Sequence, residues 1–174
     1  PTAPSNLQVT KLSPTVLLLR WDDRSDNEEG YVVIRRGPVD SDFGPDTTLN
    51  GTFTGTVSLN DTRLPPRSVF RYRVRAFNAG GFSVWSDSAQ ARTGIPAPNF
   101  TSAAALGPDS VALAWSFRFL PPLGEGFRLE RRTGVGGFLE IARPAPADRA
   151  FGDGGLAPLT TYAYRIRAAE AGDL

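Results

Sequence analysis

The chain has 174 residues, 19 basic against 18 acidic, with no cysteine, methionine or histidine. No disulfide, Cys/His zinc site, Cys nucleophile or Ser-His-Asp triad can be assembled from it. A net charge of +1 lacks the basic excess of a nucleic-acid binder, and no apolar run reaches the roughly 18 residues of a membrane-spanning helix.

Strand-like alternation is interrupted about every ten residues by Pro, Gly, Asn and Asp, and no segment holds a helical period, so the fold class is all-β. In chain order the pattern predicts strands at 6–11, 16–22, 31–36, 54–60, 70–78 and 86–93, then at 99–106, 110–117, 126–133, 138–142 and 161–169. Residues 37–51, rich in Pro, Asp, Ser and Gly, read as an irregular surface loop.

The chain repeats itself. Glu29-Gly30-Tyr31-Val32-Val33-Ile34-Arg35-Arg36 returns as Glu125-Gly126-Phe127-Arg128-Leu129-Glu130-Arg131-Arg132, and Tyr72-Arg73-Val74-Arg75-Ala76 returns as Tyr164-Arg165-Ile166-Arg167-Ala168. An offset of roughly 92 to 96 positions is the size of one small β-sandwich. Two domains are expected, 1–94 and 95–174. Gly94-Ile95-Pro96-Ala97-Pro98 forms a short, semi-rigid joint between them, compatible with only a small interface.

Both units resemble fibronectin type III domains. The first carries Pro4-Ser5-Asn6-Leu7-Gln8-Val9, Trp21, the acidic turn from Asp22 to Tyr31, Leu64-Pro65-Pro66 and the run Phe70 to Ala76; the second matches at Trp115, Phe127 to Arg131, Leu156-Ala157-Pro158 and Tyr162 to Ala168. The resemblance implies two consecutive immunoglobulin-like sandwiches with Trp21 and Trp115 in their cores. It also implies a tyrosine hydroxyl bonded to the backbone at one corner, a role Tyr162 fits. Phe70 stands at that place in the first unit, which predicts a corner weaker by about 0.5 to 1.5 kcal/mol. The first unit continues past Gly80-Gly81 through Trp85 to Thr93, whereas the second stops at Gly172-Asp173-Leu174, so the second sandwich is expected to lack its last strand and to expose an edge.

The candidate partner-binding residues lie on one sheet. Period-two alternation sets Arg71, Arg73 and Arg75 on the face opposite Phe70, Tyr72, Val74 and Ala76. Phe82-Ser83-Val84-Trp85-Ser86 resembles the Trp-Ser-x-Trp-Ser box of cytokine receptors with phenylalanine for its first tryptophan, which implies Trp85 stacked on the arginine row. Val32 and Ile34 form an outward aliphatic pair, shielded by arginine stems or open to a partner. In the second unit Glu130 can neutralise an arginine across the strands.

The cluster Asp22, Asp23, Asp26, Glu28 and Glu29 matches no EF-hand spacing and reads as a solvated turn; no metal or cofactor is expected. Asn50, Asn60 and Asn99 begin glycosylation acceptor sequences. These observations predict a non-catalytic extracellular or cell-surface spacer and interaction module from a larger protein, of the kind found in bacterial secreted multidomain proteins. Its partner is expected to be a protein, a neighbouring subunit or a carbohydrate. The alternatives are a filament segment completed by a strand from another chain, and an ectodomain binding a protein ligand at its inter-domain elbow.

Overall fold

Alternating side chains decide the architecture. Leu17, Leu19 and Trp21 are buried while Arg20 and Asp22 between and beyond them are exposed, so one face of that strand must be covered by a second layer. A computed structural model shows how, describing residues 1–37, 47–53, 57–118 and 126–169. Its fourteen strands include no helix among the described residues, and the chain divides into two compact units, Pro1–Gly94 and Ile95–Leu174.

In unit 1, β1 (Ser5–Ser13), β2 (Val16–Asp22) and β5 (Ser58–Asp61) form one sheet in the order β1-β2-β5. The other sheet runs β4 (Thr47–Phe53), β3 (Gly30–Arg36), β6 (Val69–Asn78) and β7 (Gly81–Phe82), with β8 (Ala89–Arg92) also paired to β6. The core between them joins Leu17, Leu19, Trp21, Tyr31, Val33, Leu64, Phe70, Tyr72, Val74 and Ala76. Trp21 meets Tyr31 edge-on, ring centroids 5.4 Å apart.

Unit 2 repeats the plan. The first sheet is β9 (Asn99–Gly107), β10 (Ser110–Ser116) and β13 (Ala150–Asp153); the second is β12 (Leu139–Ala142), β11 (Phe127–Thr133) and β14 (Tyr162–Ala168). Trp115 packs edge-on against Phe127 at 5.7 Å. The glycine of the repeated Glu-Gly pair has a steric reason: a Cβ on Gly126 would fall 1.9 Å from the Pro144 carbonyl oxygen, which accepts a hydrogen bond from the Phe127 N–H at 2.8 Å.

Four expectations are corrected. Residues 47–53, assigned largely to a loop, form β4, with Val33 opposite Leu49 and Ile34 opposite Thr48. The Pro/Asp/Ser-rich residues before it dominated the pattern, and 38–46 lie outside the described residues. The strand expected over 54–60 begins at Ser58, 54–56 being likewise outside. The strand expected over 86–93 is shortened to β8 (Ala89–Arg92), and the two-residue β7 (Gly81–Phe82) forms before it, with side-chain clamps between them. β13, whose Ala-Phe-Gly-Asp sequence is followed by two turn glycines, was not read as a strand at all.

The corner is also corrected. In unit 2 the Ala157 N–H donates to the Tyr162 hydroxyl at 2.9 Å. The place of Ala157 is taken in unit 1 by Pro65, which has no N–H to satisfy, so Phe70 forfeits no bond there. The Thr93 hydroxyl instead donates to the Pro65 carbonyl at 2.7 Å and accepts from the Ser68 N–H at 2.9 Å. Otherwise the two corners share a backbone: φ is 60° at Arg63 and 70° at Gly155, 58° at Arg67 and 55° at Leu159.

The second sheets differ at one side. β6 is paired on its outer side by β7 and β8, whereas among the described residues β14 pairs only with β11. The core residues follow suit: Val74 and Ala76 are fully buried, their counterparts Ile166 and Ala168 are 6% and 8% exposed, and Tyr164 is half-buried where Tyr72 is buried.

Candidate functional site

The segment after β6 is held without a regular ladder. The Ser83 and Ser86 N–H groups donate to the Ala76 and Val74 carbonyls at 2.9 and 2.8 Å. Their hydroxyl oxygens accept from the N–H groups of the same two residues at 3.0 and 3.1 Å, and the hydroxyls donate onward to the Val84 and Asp87 carbonyls, both at 2.8 Å. Each serine thus does what a ladder residue does, using its own side chain for half of the pairing. Both are buried.

This clamp turns two rings over one arginine. The Arg75 guanidinium carbon lies 3.8 Å from the Phe82 centroid and 4.3 Å from that of Trp85. Its Nε is buried and donates to nothing among the described residues, so its charge is balanced by ring faces, each worth about 0.5–1 kcal/mol when exposed and about 2 when desolvated. The stacking expected for Trp85 is present, and Arg75 alone of the row takes part in it.

Arg71 and Arg73 are exposed. Arg71 donates to the Gln90 side-chain oxygen at 3.3 Å, and Arg73 makes no hydrogen bond or ion pair among the described residues. Across β3 and β6, Val32 lies opposite Arg75, Ile34 opposite Arg73 and Arg36 opposite Arg71. Val32 and Ile34 are half-buried. Ile34, Arg36, Arg71, Tyr72 and Arg73 together line a shallow depression on this face.

The matching face of unit 2 is partly neutralised from within. Glu130 accepts a short charge-assisted hydrogen bond from Arg165, Glu140 pairs with Arg143 at 2.6 Å and with Arg128 at 3.7 Å, and Phe138 lies against both Arg165 and Arg132. Glu140 is held below its usual carboxylate value, first by Arg143.

Sequence reasoning missed one constellation, present in both units. Asp61 is 5% exposed and accepts from Arg35 Nη1 at 2.9 and 3.1 Å and from the Tyr72 hydroxyl at 2.8 Å. Asp153 accepts from Arg131 Nη1 at 2.8 and 2.9 Å and from the Tyr164 hydroxyl at 2.8 Å. Burial, then the carboxylate beside it, pushes each tyrosine well above its ordinary value. The available signal was the Asp-to-Tyr separation, 11 residues in both copies. A buried carboxylate so engaged is a structural tie joining the two sheets.

The acidic cluster serves its turn. Asp23 accepts from the Ser25 N–H at 2.9 Å and Glu29 from the Ala79 N–H at 3.0 Å. Asp23 is held below its ordinary value, first by the Tyr31 hydroxyl. No three His, Cys, Asp or Glu side chains converge among the described residues. Asn60 on β5 and Asn99 at the start of β9 are exposed; the Asn50 side chain lies outside the described residues.

Comparison with known proteins places this geometry. The chain is 29% identical to exoglucanase B of Cellulomonas fimi over 97% of its own length and 15% of that protein. It is 32% identical to the receptor-type tyrosine-protein phosphatase F of Bos taurus over 57% of the chain and 5% of the relative, and 27% identical to usherin of Rattus norvegicus over 94% and 4%. The chain thus spans a small part of each. Among solved structures it matches a two-domain fibronectin type III segment of chicken tenascin, with a TM-score of 0.55 at 16% identity, covering 98% of this chain and 93% of that one. Residues 2–92 match the fibronectin type III domain directly, and the chain belongs to the fibronectin type III family.

Proposed function

We propose that the chain is a non-catalytic, extracellular spacer and protein-interaction module of a larger protein. The observation that carries this reading is how its reactive side chains are used. Asp61 and Asp153 tie sheets together, Ser83 and Ser86 clamp backbone, and Arg75 is enclosed by rings. What stays outward is a broad sheet face suited to contact. Its relatives support the setting, since an exoglucanase, a receptor-type phosphatase and usherin each contain a matching stretch within a much longer chain. The test is a fusion of residues 1–174 to a reporter hydrolase. The reporter should keep its kcat on a soluble substrate, and the chain alone should add no activity; new activity traceable to the chain would reject the reading.

A second reading rests on β14. Its outer edge is unpaired among the described residues and its core side chains are more exposed than their unit 1 counterparts, which suits completion by a strand from another chain. Light scattering and calorimetry of residues 1–174 over a concentration series test it: ordered assemblies whose melting temperature rises with concentration favour complementation by another chain, and a monomer at every concentration rejects it.

A further inference from the structure

The internal repeat supplies its own control for unit 1's outer face. On β11 and β14 of unit 2, Glu130 lies opposite Arg165 and bonds to it. The same register in unit 1 places Ile34 opposite Arg73. The guanidinium is kept and its carboxylate is replaced by an aliphatic side chain. One rung further, Arg36 faces Arg71 where unit 2 has Arg132 facing Ala163, and on the other side Val32 faces Arg75 where unit 2 has Arg128 facing Arg167; over the three rungs each unit has four arginines, and unit 1 lacks the glutamate. The strands β3, β4, β6 and β8 contain no Asp or Glu whatever. Arg71 donates to Gln90 of β8, and Arg73 makes no ion pair among the described residues.

We propose that this face, centred on Arg73, Arg71 and Ile34, docks an extended acidic polypeptide segment carrying carboxylates at alternate positions. The spacing fits: residues two apart on a strand are about 6.8 Å apart, so Arg71 and Arg73 present guanidinium groups at the repeat of a second extended chain laid along them. Arginine can receive a carboxylate through two parallel N–H donors, and unit 2 shows an arginine of this row, Arg165, bonded to the Glu130 carboxylate. The floor of the depression is Ile34, with Val32 two residues before it on the same face. That floor suits the apolar stems and intervening side chains of a peptide better than the hydroxyl-rich surface of an acidic polysaccharide. The inference deepens the interaction-module reading and rests on it.

The experiment uses the 174-residue chain and a fluorescent peptide with glutamates at alternate positions separated by valine and threonine. Anisotropy should show saturable binding that weakens as salt rises. A peptide of identical composition with its glutamates contiguous should bind at least tenfold more weakly. Ile34→Glu, which restores the carboxylate unit 2 already has, should reduce affinity at least tenfold while the melting temperature is kept or raised. Arg73→Gln should do the same by removing the receptor group, and it carries the test if Ile34→Glu fails to fold. Absence of saturable binding, unchanged affinity in a folded Ile34→Glu or Arg73→Gln variant, or preference for an oligogalacturonate over the alternating peptide would overturn the proposal. None of these results concerns activity, so the non-catalytic reading stands or falls separately.

Discussion

Replacing Asp61 by alanine tests the buried tie and has a magnitude that follows from its geometry. The Tyr72 hydroxyl, on a residue 1% exposed, loses its acceptor, which costs about 1–3 kcal/mol for a buried unsatisfied group. Arg35 loses its two charge-assisted bonds, but its side chain is 23% exposed and turns partly to water, so the about 3–5 kcal/mol of a fully buried broken pair is an upper limit. A total of about 2–4 kcal/mol is expected against about 5–14 for a domain of this size. At about 4–8 °C per kcal/mol, the transition of unit 1 should fall by about 8–32 °C in a calorimetric scan of the whole chain. Asp153→Ala is the internal replicate and should lower the transition of unit 2. The apolar triple replacement Arg35→Met, Asp61→Leu, Tyr72→Phe should recover most of the loss, because no uncompensated polar group then remains. Asp61→Ala within about 0.5 kcal/mol of the parent, the range of an ordinary surface change, would refute the reasoning.

The corner predicts an asymmetry: Tyr162→Phe should cost unit 2 about 0.5–1.5 kcal/mol by orphaning the Ala157 N–H, while Phe70→Tyr should gain unit 1 nothing, as chemical denaturation would report. Ser86→Ala removes the acceptor of the buried Val74 N–H and should cost about 1–3 kcal/mol, with near-ultraviolet dichroism showing Trp85 loosened from Arg75. Alkaline pH should destabilise both units. The folded Tyr72 holds its proton more tightly than the unfolded chain, so its contribution is fully present below the ordinary value of 10.0 and is lost as pH rises above it; urea titrations across that range should show a shallower decline in Tyr72→Phe. Residues 1–94 expressed alone should melt cooperatively as a monomer, and an unfolded product would reject the boundary at Gly94.

Much of the fold was legible because it rests on period two and on the repeat. The alternation through Phe70, Tyr72, Val74 and Ala76 announces both the core face and the arginine face, and Glu130 was expected to meet an arginine across the strands, which the register makes Arg165. The ties were hidden because their members lie far apart in the chain, Arg35 and Asp61 being separated by 26 residues, and because an aspartate beside turn residues reads as solvated. β13 was hidden by its glycines, and the serine clamp because hydroxyl–backbone pairing leaves no periodic trace. At the corner the sequence misled for a chemical reason: the missing hydroxyl at Phe70 was visible, but the matching absence of an N–H at Pro65 had to be read together with it. The alternation that sets Arg71, Arg73 and Arg75 on one face was legible in the sequence, while the division of labour within it, Arg75 stacked and Arg73 free of ion pairs among the described residues, needed side-chain geometry.

The central claim is that this chain acts by contact and not by chemistry, and prolonged incubation of purified residues 1–174 with oligosaccharide and peptide substrates tests it most directly. The account predicts product no higher than in a buffer blank at every protein concentration. Turnover that scales with the chain and disappears on replacing one exposed carboxylate, such as Asp148 or Asp26, would contradict it.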